Sequence, residues 1–172
     1  MSGSTVPPVP ASPEERDGQH DFDFQWGKWK VHNRRLLRPL TGSTDWVEFE
    51  ATCEARPLFG GLANEDEFSA ETPTGSIRGM TIRMYDPKSH EWTIYWGRLP
   101  DGALTLPPVV GRFNDRGVGE FYDHELFNGR AIFLRYTWKV LSKDRAEWEQ
   151  AFSVDGGRTW ETNWYMVHTR VG

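Results

Sequence analysis

Three side chains in the second half of the chain have the chemistry to move protons: Tyr136, Glu149 and His168. A phenol, a carboxyl and an imidazole are the usual general acids and bases, provided they converge on one cavity. Asn33 and Arg35, two apart near the start, have the chemistry of recognition instead. Arginine stays charged wherever it is placed, so inside a protein it needs an anionic or strongly accepting partner. His168 has several readings from sequence: a core histidine bonded to a backbone carbonyl, an acid or base beside a bound molecule, or a residue exposed at a strand end. Asp123-His124-Glu125 alternates faces if extended, so only the two carboxyls converge, and the run reads as a solvated strand end rather than a metal site. Asn64 and Asp66 share a face, as do Glu65 and Glu67, and a carboxylate there could face Arg35 or Arg83. Cys53 lies on the apolar parity of its stretch and reads as a small core residue. Neither a nucleophile elbow nor a phosphate-cradling glycine loop is present.

The elements that carry these residues are strands. From Trp29, alternation gives Trp29, Val31, Asn33, Arg35 and Leu37 on one face, against a Lys/His/Arg face of Lys28, Lys30, His32 and Arg34. Trp46 to Ala55 alternates cleanly, as a half-buried antiparallel strand does. Further strands are predicted over Leu62 to Ala70, Ile77 to Tyr85, Glu91 to Arg98, Val118 to Leu126, Ala131 to Leu141, Arg145 to Ser153 and Thr159 to Val171. Leu99 to Gly111, with Pro100, Pro107 and Pro108, is the longest break and reads as a mouth or lid loop. Asn128-Gly129 is a two-residue hairpin signal, since both central positions of a type I′ turn need positive φ. No convincing helical period appears. About ten strands joined mostly by hairpins predict an all-β, single antiparallel up-and-down barrel, because a sheet of that width closes to protect its edges.

Parity then fills the interior. Tyr136 and Trp138 share a face, Trp148 and Gln150 share one, and Trp160, Thr162, Trp164, Met166, His168 and Arg170 are expected on one face of the last strand. Asn33, Arg35, Trp138, Trp148, Gln150, Trp164, Met166 and His168 are therefore the expected ligand-binding set, a mostly apolar wall with a few polar groups. Were the protein an enzyme, His168, Glu149 and Tyr136 would be its acid–base residues.

Composition agrees. The chain has 172 residues with 9 Trp, 10 Phe and 5 Tyr, a ring density suited to a wide interior or a pocket. Its net charge of −5 argues against a nucleic-acid binder. The 1 cysteine excludes an internal disulfide and cysteine-based metal clusters. No apolar run reaches membrane-spanning length and no signal-peptide core follows Met1, so a cytoplasmic protein is expected. Residues 1–18 are rich in Ser, Pro and then charge, and are expected to form a disordered arm, with the barrel over 19–172.

Gly27-Lys28-Trp29 on the first strand, with Arg170 on the last, resembles the Gly-x-Trp closure of calycins, the superfamily of lipocalins and fatty-acid-binding proteins. Together with Phe24-Gln25-Trp26, Trp148 to Ser153 and Asp155 to Trp164, it makes the span from about His20 to Gly172 similar to a calycin-like family of bacterial domains of unknown function. The resemblance implies a barrel closed by Trp29 with Arg170 stacked across its ring. It brings no established activity. Nitrobindins, the haem-binding calycins, use a late-strand histidine, and by that analogy His168 is a haem-ligand candidate. The glycine-rich opening of nitrobindins is absent after Trp29, where Lys30-Val31-His32 follows, so no cofactor is the leading expectation. Ser153 to Trp160 also resembles the Asp-box hairpin and is read as structural.

Three functions follow as expectations: binding of a small hydrophobic or aromatic ligand with a polar or anionic group, cofactor-free catalysis such as that of a cyclase, isomerase or hydrolase, or haem binding. The partner in the leading reading is a small hydrophobic or aromatic molecule, with neither nucleic acid nor membrane, and a homodimer is compatible with the sequence.

Overall fold

The structure is a computed structural model, and it describes residues 16–172. Ten strands run in chain order: β1 Gly27–Leu36, β2 Trp46–Leu58, β3 Ala63–Thr72, β4 Gly75–Asp86, β5 Glu91–Arg98, β6 Val109–Phe113, β7 Val118–Phe127, β8 Arg130–Ser142, β9 Arg145–Ser153 and β10 Glu161–Arg170. Each pairs antiparallel with its sequence neighbours, and β1 with β10 closes the barrel. This is the calycin-like, all-β, up-and-down architecture. Among the described residues no helix is long and apolar enough to cross a membrane.

Closure leaves no unpaired edge, so every strand sorts its side chains by period two between interior and solvent. Trp29, Val31 and Asn33 point inward from β1, and Phe49, Ala51, Cys53 and Ala55 from β2. On β1 the alternation fails at its end, where Leu36 is buried and Leu37 is exposed. Asn128 (φ 50°) and Gly129 (φ 78°) make the two-residue hairpin between β7 and β8.

Two expectations are corrected. The long break after Leu99 ends in a strand: Val109–Phe113 pairs with β5 and β7, and only the loop before it is irregular. Its short Val-Val-Gly-Arg-Phe run sits directly after Pro107-Pro108, which masked it. On β10 a bulge lies between Thr162 and Trp164, so strict alternation from Trp160 to Arg170 breaks at Asn163. An extra residue there moves all that precedes it to the opposite face. Trp160 accordingly packs with Tyr122 and under the Arg135 guanidinium, not beside Trp164.

One end of the barrel is plugged. Residues 16–26 run across it, with a 3-10 turn at Asp23–Gln25. Phe22, fully buried, packs edge-on against Trp92, Phe113 and Trp138. Trp92 Nε1 donates to the Gly18 carbonyl (2.9 Å), and Gly18 N donates to the Tyr85 hydroxyl (3.0 Å). Residues 1–15 of the expected arm lie outside the described residues, whereas Arg16 pairs with Asp21 at 2.5 Å. The Trp29 indole donates to the Gln25 carbonyl (2.7 Å), and the Arg170 guanidinium carbon sits 4.2 Å from the Trp29 ring centre. Arg170 also donates to the carbonyls of Trp26, Phe24 and Lys143. The expected stack therefore exists, and one guanidinium ties the plug, the first strand and the last strand together. The Asp155 turn is as expected: its carboxylate accepts from Thr159 and Ser153, and the Trp160 indole donates to the Gly157 carbonyl.

Candidate functional site

Above the plug, the barrel encloses a cavity of about 100 Å³. Its body is aromatic: Trp96 from β5, Trp138 from β8, Trp148 from β9 and Trp164 from β10, with Met166, Phe68 and Ile94 between them. Trp148 meets Trp164 at 5.8 Å and Tyr136 at 5.0 Å, both edge-to-face, so the rings brace one another rather than collapse into the space. Gly79 on β4 matters here because a Cβ would overlap the Trp96 ring. The glycine lets that indole lie against the sheet.

The polar end is built from β3, β4 and β10. Asn64 stands opposite Arg83 in the β3–β4 register. Arg83 donates from Nη1 to Asn64 Oδ1 (2.9 Å) and from Nη2 to Asp66 Oδ2 (2.6 Å), and the paired side chains of Arg83 and Asp66 are only 4% and 5% exposed. The guanidinium also lies over Phe22, 5.0 Å from the ring centre. A buried ion pair is tolerable only when geometry is good and further hydrogen bonds are made, and here both hold. This explains the charged character of β3: Asn64 and Asp66 serve Arg83 inside, while Glu65 pairs with Arg56 on the outer face (2.5 Å). Arg83 Nε has no hydrogen-bond partner in the protein and is buried.

His168 borders the same space. Its ring meets Trp138 at 5.0 Å and Trp29 at 6.1 Å. Burial, and then the nearby Arg83 charge, push its pKa down to about 3, so the imidazole is neutral at pH 7. Nδ1 has no partner in the protein. Of the sequence readings, a core histidine satisfied through that nitrogen is ruled out, and so is exposure at the barrel end.

A second chamber, of about 220 Å³, lies toward the open end and shares Ile94, Trp96, Tyr136 and Gln150 with the first. Asp123 and Glu125, two apart on β7, line it, under a roof that includes Thr105 and Pro107 of the loop after β5. Burial, then the neighbouring Glu125 carboxyl, hold the Asp123 pKa well above the carboxylate range. Burial raises Glu125 as well. Burial pushes the Tyr136 phenol upward, reinforced by these same two carboxyls.

The expected site residues separate into three groups. Tyr136, Trp138, Trp148, Gln150, Trp164, Met166 and His168 do converge on the interior. Asn33 is fully buried but supports the wall from behind: it accepts from Trp164 Nε1 (2.9 Å) and donates to the Val31 carbonyl (3.0 Å). Arg35 does not reach the cavity. It lies near the strand end with its guanidinium 4.2 Å from the Trp164 ring centre, on the far side of that wall. No described carboxylate pairs with it, since Asp66 is held by Arg83. Glu149 is on the outer face of β9, beside Lys139 and Tyr165, because its neighbours Trp148 and Gln150 own the inner parities. It cannot act with His168 and Tyr136. The solvated reading of Asp123 and Glu125 is also corrected, as Asp123 is buried. The signal was available: Phe121 and Phe127 share their parity and mark it as interior. Gln25, which lines the cavity from the plug, carried no sequence signal because its turn has no period.

No protein-family model matches the chain, and no curated protein sequence does. Among solved structures, an S-type phycobiliprotein lyase, CPES, from Guillardia theta is similar, with a TM-score of 0.63 and 10% identity over 96% of this chain and 99% of that one. At that identity the likeness carries the fold, and the fold is the same barrel.

Proposed function

We propose that the protein binds a small hydrophobic, aromatic molecule inside the barrel, with a hydrogen-bond-accepting group of that molecule turned toward Arg83 and His168. The observation that carries this reading is the unsatisfied polar end of an otherwise aromatic cavity: Arg83 and His168 line it, and Arg83 Nε and His168 Nδ1 are buried without a partner in the protein. Buried polar atoms without partners are rare and costly, and a ligand is one way to satisfy them. Because Asp66 already neutralises Arg83, the site asks for an acceptor such as a carbonyl rather than a full anion. A cavity of about 150 Å³ lined by apolar side chains takes up benzene, so adjoining chambers of about 100 and 220 Å³ suit a ligand of one or two rings. We also read the chain as one of the calycin-like bacterial domains of unknown function, on the Trp29–Arg170 closure.

The two other readings have less support. A general base works best with a pKa near the operating pH, and His168 is far below it, while Glu149 is outside the barrel. Haem has less support because the His168 ring is packed against Trp29 and Trp138. Native mass spectrometry of the purified protein tests the proposal. A small organic species bound one to one and released on denaturation is expected. A bare chain that also fails to bind naphthalene-sized aromatics in calorimetry refutes it.

A further inference from the structure

We propose that Asp123 and Glu125 form a second recognition point of the same interior, for a basic or N–H-donating nitrogen at the opposite end of the ligand from its acceptor group. This rests on the ligand-binding reading above and specifies the ligand's class: an aromatic molecule with an acceptor at one end and an amine or protonated nitrogen heterocycle at the other.

Three observations converge on it. Asp123 is 8% exposed, its Oδ1 has no partner in the protein, and it borders the upper chamber. Glu125 stands beside it on the same wall, yet no described Lys, Arg or His forms an ion pair with either carboxyl, and no cationic side chain lines that chamber. The two chambers lie side by side, with Ile94, Trp96, Tyr136 and Gln150 as their common wall, and one aromatic body reaches both ends where these side chains part.

Electrostatics fixes the orientation. Burial raises both neighbouring carboxyls, and Glu125 raises Asp123 further, so without a counter-charge the pair retains a proton. An ammonium or N–H donor offers the missing partner, and the retained proton is released to solvent if the ligand brings a full positive charge. The deep end offers such a cation no free anion, because Asp66 is already paired with Arg83. Tyr136, a neutral phenol, feels both carboxyls, and no cationic side chain lines the chamber to compete for the pair.

Three probes with one ring system decide the matter: 1-naphthylmethylamine, 1-naphthylmethanol and 1-naphthoate, titrated calorimetrically into the full chain and into Asp123→Asn/Glu125→Gln. A charged hydrogen bond contributes enough for the amine to bind about tenfold tighter than the alcohol, with the carboxylate weakest. In the double variant the amine and the alcohol should differ by less than about twofold. Thermal unfolding of the double variant reports that it is folded. Equal binding of amine and alcohol to the wild type, or an amine preference that survives in the double variant, overturns this inference and leaves the ligand-binding reading standing. Failure of all three to bind overturns both.

Discussion

Removing Arg83 should cost far more than removing Arg35, although both arginines sit on the inner parity of a strand. Arg83→Met strands the Asp66 carboxylate, whose side chain is 5% exposed and 2.6 Å from its only cation. At charge centres about 4 Å apart and an effective dielectric near 20, the lost attraction is about 4 kcal/mol. Breaking a buried pair by deleting one partner typically costs about 3–5 kcal/mol, because the survivor keeps its desolvation penalty. Asn64 Oδ1 also loses its donor. For a chain of this length each kcal/mol moves the melting temperature by about 2–4 °C, so a drop of roughly 6–20 °C is expected. Arg35→Met removes a guanidinium that only stacks on Trp164, worth about 1 kcal/mol or less. Arg83→Met/Asp66→Leu should regain most of the loss, since an apolar replacement of a buried pair is close to neutral. Thermal and urea unfolding of the four proteins gives the answer. If Arg83→Met is no worse than Arg35→Met, or if the double variant is as unstable as Arg83→Met alone, the buried pair is not what holds the polar end.

Trp29→Ala should destabilise by about 3–5 kcal/mol in urea unfolding, as for any buried large ring, and Arg170→Lys should fail to restore the wild-type value at its own position, since an ammonium cannot reach the carbonyls of Trp26, Phe24 and Lys143 from one stacked plane. His168 gives a pH signature. Its folded pKa is depressed, to about 3, below the unfolded value of 6.5, so the unfolded chain takes up the proton first and stability falls as pH drops from 6.5 toward 3. Across that window the wild type should lose up to about 1.4 kcal/mol per pH unit more than His168→Gln, and parallel stability–pH curves for the two would show that the imidazole is not buried neutral.

What sequence could reveal was set by the period of two. Wherever a strand alternates without interruption, interior residues were legible: Trp138, Trp148, Gln150, Trp164 and His168 all follow from parity and all line the cavity. The errors fall where the period is locally broken or its meaning is ambiguous. The Asn163 bulge reversed the faces of Trp160 and Thr162. On β1 parity was right, yet Arg35 is near the strand's end, where an inward Cβ no longer implies an enclosed side chain, and the real interior cation was Arg83. On β3 neither parity looked apolar because the buried one begins with Asn64 and Asp66, which exist to satisfy Arg83 from across the sheet. Polar residues on a buried face carry no hydrophobic signal of their own; they become readable only once their partner strand and register are known. The polar ends of this interior, Arg83 with Asp66 at one and Asp123 with Glu125 at the other, are therefore the parts that depend on β3–β4 pairing and on closure of the barrel. They are also the parts that would choose the ligand.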